Sequence, residues 1–194
     1  MKITTTTLEM LEQPRDEPRA FPDDVRLDRA SSISPEYARF LYGLVGGPWF
    51  WTERLDWTRH RWVDELAEPG TEFWILYGDG NPLGYVHLQP KPSDKGTEVE
   101  IRYFGLAEAA QGRGLGGRLL EHGVLAAWTL SERAQLAPVS RVWVHTCTLD
   151  GPLALANYQA RGFVITGTEE TFEDLPDRPV GSWVSTGGRA AASD

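Results

Sequence analysis

Residues 110–120 read Ala-Gln-Gly-Arg-Gly-Leu-Gly-Gly-Arg-Leu-Leu, with glycine at 112, 114, 116 and 117. So many glycines carry an entropic cost that makes sense where backbone must turn sharply or approach something closely. Two anion-binding patterns overlap in this stretch. Gly112, Gly114 and Gly117 spell G-x-G-x-x-G, the fingerprint of a dinucleotide-binding turn, whereas Gln111, Gly114 and Gly116 spell Q-x-x-G-x-G. Either way the chemistry is that of main-chain amides. Those of residues 112–117 open a helix, have no intrahelical acceptor and sit at the positive end of the helix dipole, so they can hold a phosphate. Arg113 and Arg118 add positive charge beside them.

Proton-transfer candidates lie on two strand-like stretches. In TEVEIRYFGL, alternation puts Glu98, Glu100 and Arg102 on one face and Val99, Ile101 and Tyr103 on the other. A solvated face with Glu-Arg pairs and a general base at Glu100 are equally good readings of that pattern. His145, in SRVWVHTCTL, is the competing base because imidazole titrates near neutrality, although a histidine on a core strand is more often structural. Cys147 shares its face and is read as a small buried residue rather than a nucleophile. Trp49, Trp51, Trp57, Trp62 and Trp74 account for most of the eight tryptophans. Core packing explains any one of them, but aromatic faces also attract ammonium groups, and Trp49 and Trp51 are the candidates for lining a substrate pocket.

The elements that must position these residues follow from periodicity and punctuation. Residues 1–30 are polar and proline-bearing, a poorly defined segment in which KITTTTLEML could add an edge strand. Ser34-Pro35 starts a helix that Gly46-Gly47-Pro48 stops, and Thr58 caps a second that ends near Pro69-Gly70. EFWILYGD and PLGYVHLQP flank a Gly80-Asn81 hairpin, and TEVEIRYFGL continues the meander after a KPSDKG turn. Leu115, Leu119, Leu120, Val124, Ala127 and Trp128 form one stripe of a helix running to about Arg133. After SRVWVHTCTL, Asp150 is expected to cap a further helix with Pro152 in its first turn, closed by Gly162. FVITGTEETF then begins a last pair of strands, and residues 186–194 read as a disordered tail.

Composition bounds the function. The 194 residues carry 41% hydrophobic and 24% charged residues, which fits a single domain over 1–194. The formal charge of -9 opposes adsorption to nucleic acid or anionic lipid and favours a cationic amine as partner. Charges interrupt the amino terminus where a secretory signal needs an apolar core, so a soluble cytoplasmic protein without membrane association is expected. One cysteine excludes an internal disulfide, and the scattered His60, His87, His122 and His145 suggest no metal site.

The dinucleotide pattern lacks its context. It needs a buried parallel strand running straight into the first glycine, within repeated β-α units. Here the preceding strand alternates and ends near Leu106, after an antiparallel hairpin. Residues 72–166 instead resemble the GNAT superfamily of N-acetyltransferases: the strand IRYFGL, the loop QGRGLG, the helix GRLLEHGVLAAW, the strand RVWVHTCTL and the segment ALANYQARGF, in that order. The resemblance implies an α/β (α+β) fold, with a mixed, mostly antiparallel sheet of six to seven strands flanked by helices. It also implies acetyl-CoA as cosubstrate, held by Gln111, Gly112, Arg113, Gly114, Leu115, Gly116 and Gly117, with the pantetheine arm pairing along Phe104 and Leu106. By the same resemblance Tyr158 donates a proton to the leaving thiolate, and Glu100 has the spacing of a catalytic glutamate. Many relatives carry an asparagine seven residues before that tyrosine, where this chain has Gly151. The acceptor would be a small amine or a protein amino group. A catalytically silent acyl-CoA sensor is the alternative, and a homodimer is compatible with the resemblance.

Overall fold

The computed structural model describes residues 1–30 and 32–183. Seven strands form one sheet: β1 (Lys2–Met10), β2 (Val25–Ala30), β3 (Glu72–Gly78), β4 (Asn81–Ser93), β5 (Gly96–Leu106), β6 (Val139–Cys147) and β7 (Val164–Phe172). Their order is β2-β3-β4-β5-β6-β1-β7, antiparallel throughout except for the β5–β6 pair. Helices α1 (Pro35–Gly46) and α2 (Arg59–Leu66) cover one face, and α3 (Leu115–Trp128) and α4 (Ala154–Gln159) cover the other.

Local signals set most helix ends. The Ser34 hydroxyl accepts from the Tyr37 amide with Pro35 in the first turn, and Thr58 accepts from the Arg61 amide. α3 buries Leu115, Leu119, Leu120 and Val124 in a core shared with Val86, Leu88, Val99, Ile101 and Val142. A second core, under α1 and α2, gathers Leu41, Tyr42, Val45, Trp62, Phe73, Ile75 and Tyr85. The alternation that predicts the central strands thus feeds two cores, one per face.

The amino-terminal thirty residues depart from expectation. β1 is not an edge strand but lies between β6 and β7, pairing with both, and β2 forms the opposite edge. No polarity pattern flags this position, because the partners of KITTTTLEM lie more than 130 residues away. The linker between β1 and β2 is strapped along α3: Arg19 meets Glu121 at 2.7 Å, and Phe21 stacks on His122 with 4.7 Å between ring centroids. The second helix ends at Leu66, before Pro69, and α3 ends at Trp128, with a 3-10 turn at Leu130–Glu132 completing the run toward Arg133. The expected last pair of strands is a single strand, β7, whose partner is β1. The tail at 186–194 lies outside the described residues. Among those described, no helix is long and apolar enough to cross a membrane.

One break in the sheet prepares the site. β5 and β6 pair only from Thr97–Val139 to Glu100–Trp143, yet β5 continues to Leu106 and β6 to Cys147. Beyond Glu100 the two parallel strands part, leaving β5 backbone without a β6 partner.

Candidate active site

The gap between the parted strands is the floor of a continuous cleft of about 690 Å³. The N-terminus of α3 lies at one end and an aromatic loop at the other. Gly112 and Gly114 adopt φ +74° and +70°, the left-handed region open to glycine, and Gly114 is the N-cap of α3. The amides of Gly112, Arg113 and Gly114 donate to no protein acceptor among the described residues. Gln111, Gly112, Gly114, Leu115, Gly116 and Gly117 all line the cleft, an amide-rich rim suited to a diphosphate-sized anion. Arg113 does not join them, since its guanidinium pairs with Asp24 at 3.1 Å; Arg118 donates to the Ala20 carbonyl. Both arginines hold the amino-terminal strap.

Gly117, the third glycine of the dinucleotide pattern, has a reason inside the protein. A β-carbon there would stand 1.8 Å from Nη2 of Arg161. That arginine donates to the Gly117 carbonyl and to the Asn157 carbonyl, each at 3.0 Å, so it ties α4 to the first turn of α3. Phe104 and Leu106 line the cleft on the β5 side, where the parted strands leave backbone open to an extended ligand.

Tyr158 enters from α4. It is 5% exposed, its ring set edge-on between Phe104 and Phe163, and it lines the cleft. Among the described residues its hydroxyl has no protein hydrogen-bond partner and is free to meet a ligand in the cleft that the residue lines. Burial, with the Asp150 charge second, pushes the phenol well above its ordinary pKa. It therefore stays protonated at neutral pH.

Glu100 and His145, weighed as rival bases, are in contact. Nδ1 of His145 lies 3.2 Å from Oε1 of Glu100. The glutamate side chain is 2% exposed and the histidine 45%, and of the two only His145 lines the cleft. Burial raises the Glu100 carboxyl, but the hydrogen bond from His145 and the charges of Arg102 and His145 outweigh it, holding the group below the usual carboxylate range. The ion pairs continue through Arg102 and Glu65 to Arg54, with links of 2.9, 3.0 and 2.7 Å. This row joins the histidine to the loop that carries the tryptophans.

That loop forms the far end. Trp49 and Trp51 both line the cleft, flanking Phe50 at φ 61°, a left-handed conformation that is a genuine outlier for a bulky residue. The Trp51 ring lies 4.9 Å from Tyr103 and 5.6 Å from Tyr42, centroid to centroid. Trp49 rests against Gly151. Asp150, expected to cap α4, accepts instead from the Thr146 hydroxyl, the Cys147 amide and the Trp51 indole, while Leu153 is the N-cap. Sequence reasoning missed Asp150, Tyr42, Tyr103 and the β1 residues Ile3 and Thr5 as parts of this wall. Only Tyr103 carried a signal, since it shares a strand with Glu100. Burial and the Asp150 charge push the Cys147 thiol up, so it is a poor nucleophile. Among the described residues no group of His, Cys, Asp and Glu could hold a metal ion.

Comparison with known proteins agrees with this geometry. The Acetyltransferase (GNAT) family matches residues 32–163. No curated protein matches the sequence. Among solved structures, a GCN5-related N-acetyltransferase from Sphaerobacter thermophilus is 15% identical at a TM-score of 0.56, covering 86% of this chain and 49% of its own. A tandem GNAT protein from the clavulanic acid biosynthesis pathway is 16% identical at 0.58, with 88% and 55% covered. An aminoglycoside acetyltransferase from an uncultured soil metagenomic sample is 12% identical at 0.55, with 72% and 88% covered. At these identities the structures attest the fold, and this chain spans about half the length of the first two. The family match, running from the start of α1 to the end of the α4 segment, covers most of the cleft, and the chain belongs to the GNAT family of acetyltransferases.

Proposed function

We propose that the chain transfers an acetyl group from acetyl-CoA to a primary amine by direct attack in a ternary complex. One observation carries this reading: the amide rim of α3, the unhydrogen-bonded Tyr158 and His145, backed by buried Glu100, converge on one cleft. Acetyl-CoA, when bound, supplies an activated acyl carbon on a thiolate leaving group. The amides of residues 112–117 hold its pyrophosphate, and the backbone of Phe104 and Leu106 aligns its pantetheine arm. His145 takes the proton of the incoming ammonium, and buried Glu100 keeps Nδ1 protonated so that Nε2 is the basic atom. As the carbon–nitrogen bond forms and the carbon–sulfur bond breaks, Tyr158 gives its proton to sulfur. Glu100 thus acts through the histidine rather than on the amine.

Ligand-induced melting shifts and a mass-spectrometric transfer screen test the proposal. Acetyl-CoA at 100 times Kd should add about 2.7 kcal/mol of stability, and NADH should add nothing. Product should then appear with at least one primary amine. Binding without transfer to any amine, peptide or cell extract would leave an acyl-CoA sensor. An equal shift with NADH would restore the dinucleotide reading.

A further inference from the structure

After β7 the chain turns back across the cleft. The Glu173 amide bonds the Met1 carbonyl, and Glu173 and Leu175 join the lining of the cleft. At the far end the Gly181 amide donates to the Gly47 carbonyl at 3.1 Å, beside Pro48 and Trp49. The approach is so close that a β-carbon on Gly47 would stand 1.9 Å from the Gly181 carbonyl oxygen. Residues 173–181 therefore form a strap running from the β7 edge to the aromatic loop, at the acceptor end. The rings of Trp51, Tyr103 and Tyr42 line the same cleft as Glu173 and Leu175 and pack on one another. At its margin Glu53 and Glu173 line the cleft, and neither carboxylate has an ion-pair or hydrogen-bond partner among the described residues.

Resting on the acetyltransferase reading above, we infer that the strap makes the enzyme selective for a small cationic amine with an apolar body, and excludes amino groups borne on polypeptides. A peptide lysine brings its own backbone on both sides of the side chain, and the pinned strap leaves that backbone no path. A compact amine slides beneath it. Its apolar body lies on the aromatic wall, and the free carboxylates at the rim draw in its charge before His145 removes the proton. An acidic or zwitterionic amine meets Glu53 and Glu173 unfavourably.

The test compares phenethylamine, glutamate and a ten-residue lysine peptide as acceptors, in the wild type and in two strap variants of the full chain. Gly47→Val drives a side chain into Gly181 and unpins the strap. Leu175→Ala removes its contact with the cleft without touching α1, and serves if the first variant folds poorly. In the wild type, kcat/KM for phenethylamine should exceed that for the peptide and for glutamate by at least ~10-fold, within the range pocket contacts supply. Either variant should raise KM for phenethylamine, narrow the ratio to the peptide and leave KM for acetyl-CoA unchanged. A wild type that prefers the peptide or glutamate, or a ratio untouched in both variants, overturns the inference while the transferase reading stands. Acetyl-CoA binding with no transfer to any acceptor overturns both.

Discussion

Around Gly112–Gly117 the cleft is walled by main chain, whereas around Trp51 it is walled by side chains. The first wall rests on amides, two left-handed glycines and the backbone edge of β5. The second rests on tilted and edge-on rings and the ion-pair row from Arg54 to His145. Main-chain contacts are blind to side-chain identity, so they suit a ligand that every member of a fold must bind. Side-chain contacts can be exchanged one at a time, so they suit the partner that varies. Changes near the amide rim or at Tyr158 should therefore affect all acceptors equally, and changes in the aromatic wall should reorder them.

Tyr158→Phe should produce the largest effect on this division. It keeps the packing against Phe104 and Phe163 and removes only the hydroxyl. Melting temperature and acetyl-CoA affinity should stay near wild type, while kcat falls by about 10²- to 10⁴-fold for every amine alike. Single-turnover rates measure this even where product release limits kcat. An unchanged rate would mean that the thiolate takes its proton elsewhere.

Next comes the pair at the junction of the two walls. His145→Gln should lower kcat/KM by about 10², and Glu100→Gln by less, because the histidine remains. The double variant should be no worse than His145→Gln alone, since a positioning residue has nothing left to position. If Glu100→Gln is the more damaging change and His145→Gln nearly silent, the carboxylate itself is the base.

The amide wall was legible in the sequence and the aromatic wall much less so. Glycine spacing and strand alternation are local and marked the loop at Gly114 and the strand before it, whereas Leu106 and Tyr158 came from the family resemblance that the order of these segments carries. The contact between Glu100 and His145 depends on β5 and β6 lying parallel in one register, which no local pattern states. Asp150 was legible as a helix cap, but Thr146, Cys147 and Trp51 compete for its oxygens and win. β1 was hardest to read, because its hydrogen-bond partners come from the far end of the chain.

A control away from the cleft sharpens the comparison by moving stability without chemistry. Glu72 on β3 accepts from Arg133, Arg29 and the Trp74 indole. Burial raises its carboxyl, and the hydrogen bonds from Arg133 and Trp74, with the Arg133 charge, outweigh that and hold it low. A carboxylate depressed in the folded state stabilises above its unfolded pKa of about 4.3, and that contribution is lost as pH falls through the folded value. Glu72→Gln should cost about 2 kcal/mol at pH 7 and flatten the acid limb of stability against pH, with kcat unchanged at temperatures where the variant is folded. A steep acid limb surviving the change would move its origin to other carboxylates.

The smallest expected effect is the most diagnostic of the aromatic wall. Trp51→Phe keeps a ring beside Tyr103 but loses part of the ring contact area and the long 3.4 Å bond from the indole to Asp150. A bond at that distance contributes little, and Asp150 keeps its two shorter partners, Thr146 and Cys147. The lost ring area is worth about 1 kcal/mol, a factor of roughly five in acceptor KM. KM for acetyl-CoA should not move. The loss should be larger for amines with an apolar body than for short polar ones, because only the former use the missing surface. Steady-state kinetics with phenethylamine and with ethanolamine measure the difference. An equal loss for both would mean that Trp51 props up the loop rather than reads the acceptor, and a rise in the acetyl-CoA KM would mean that the two walls are not independent.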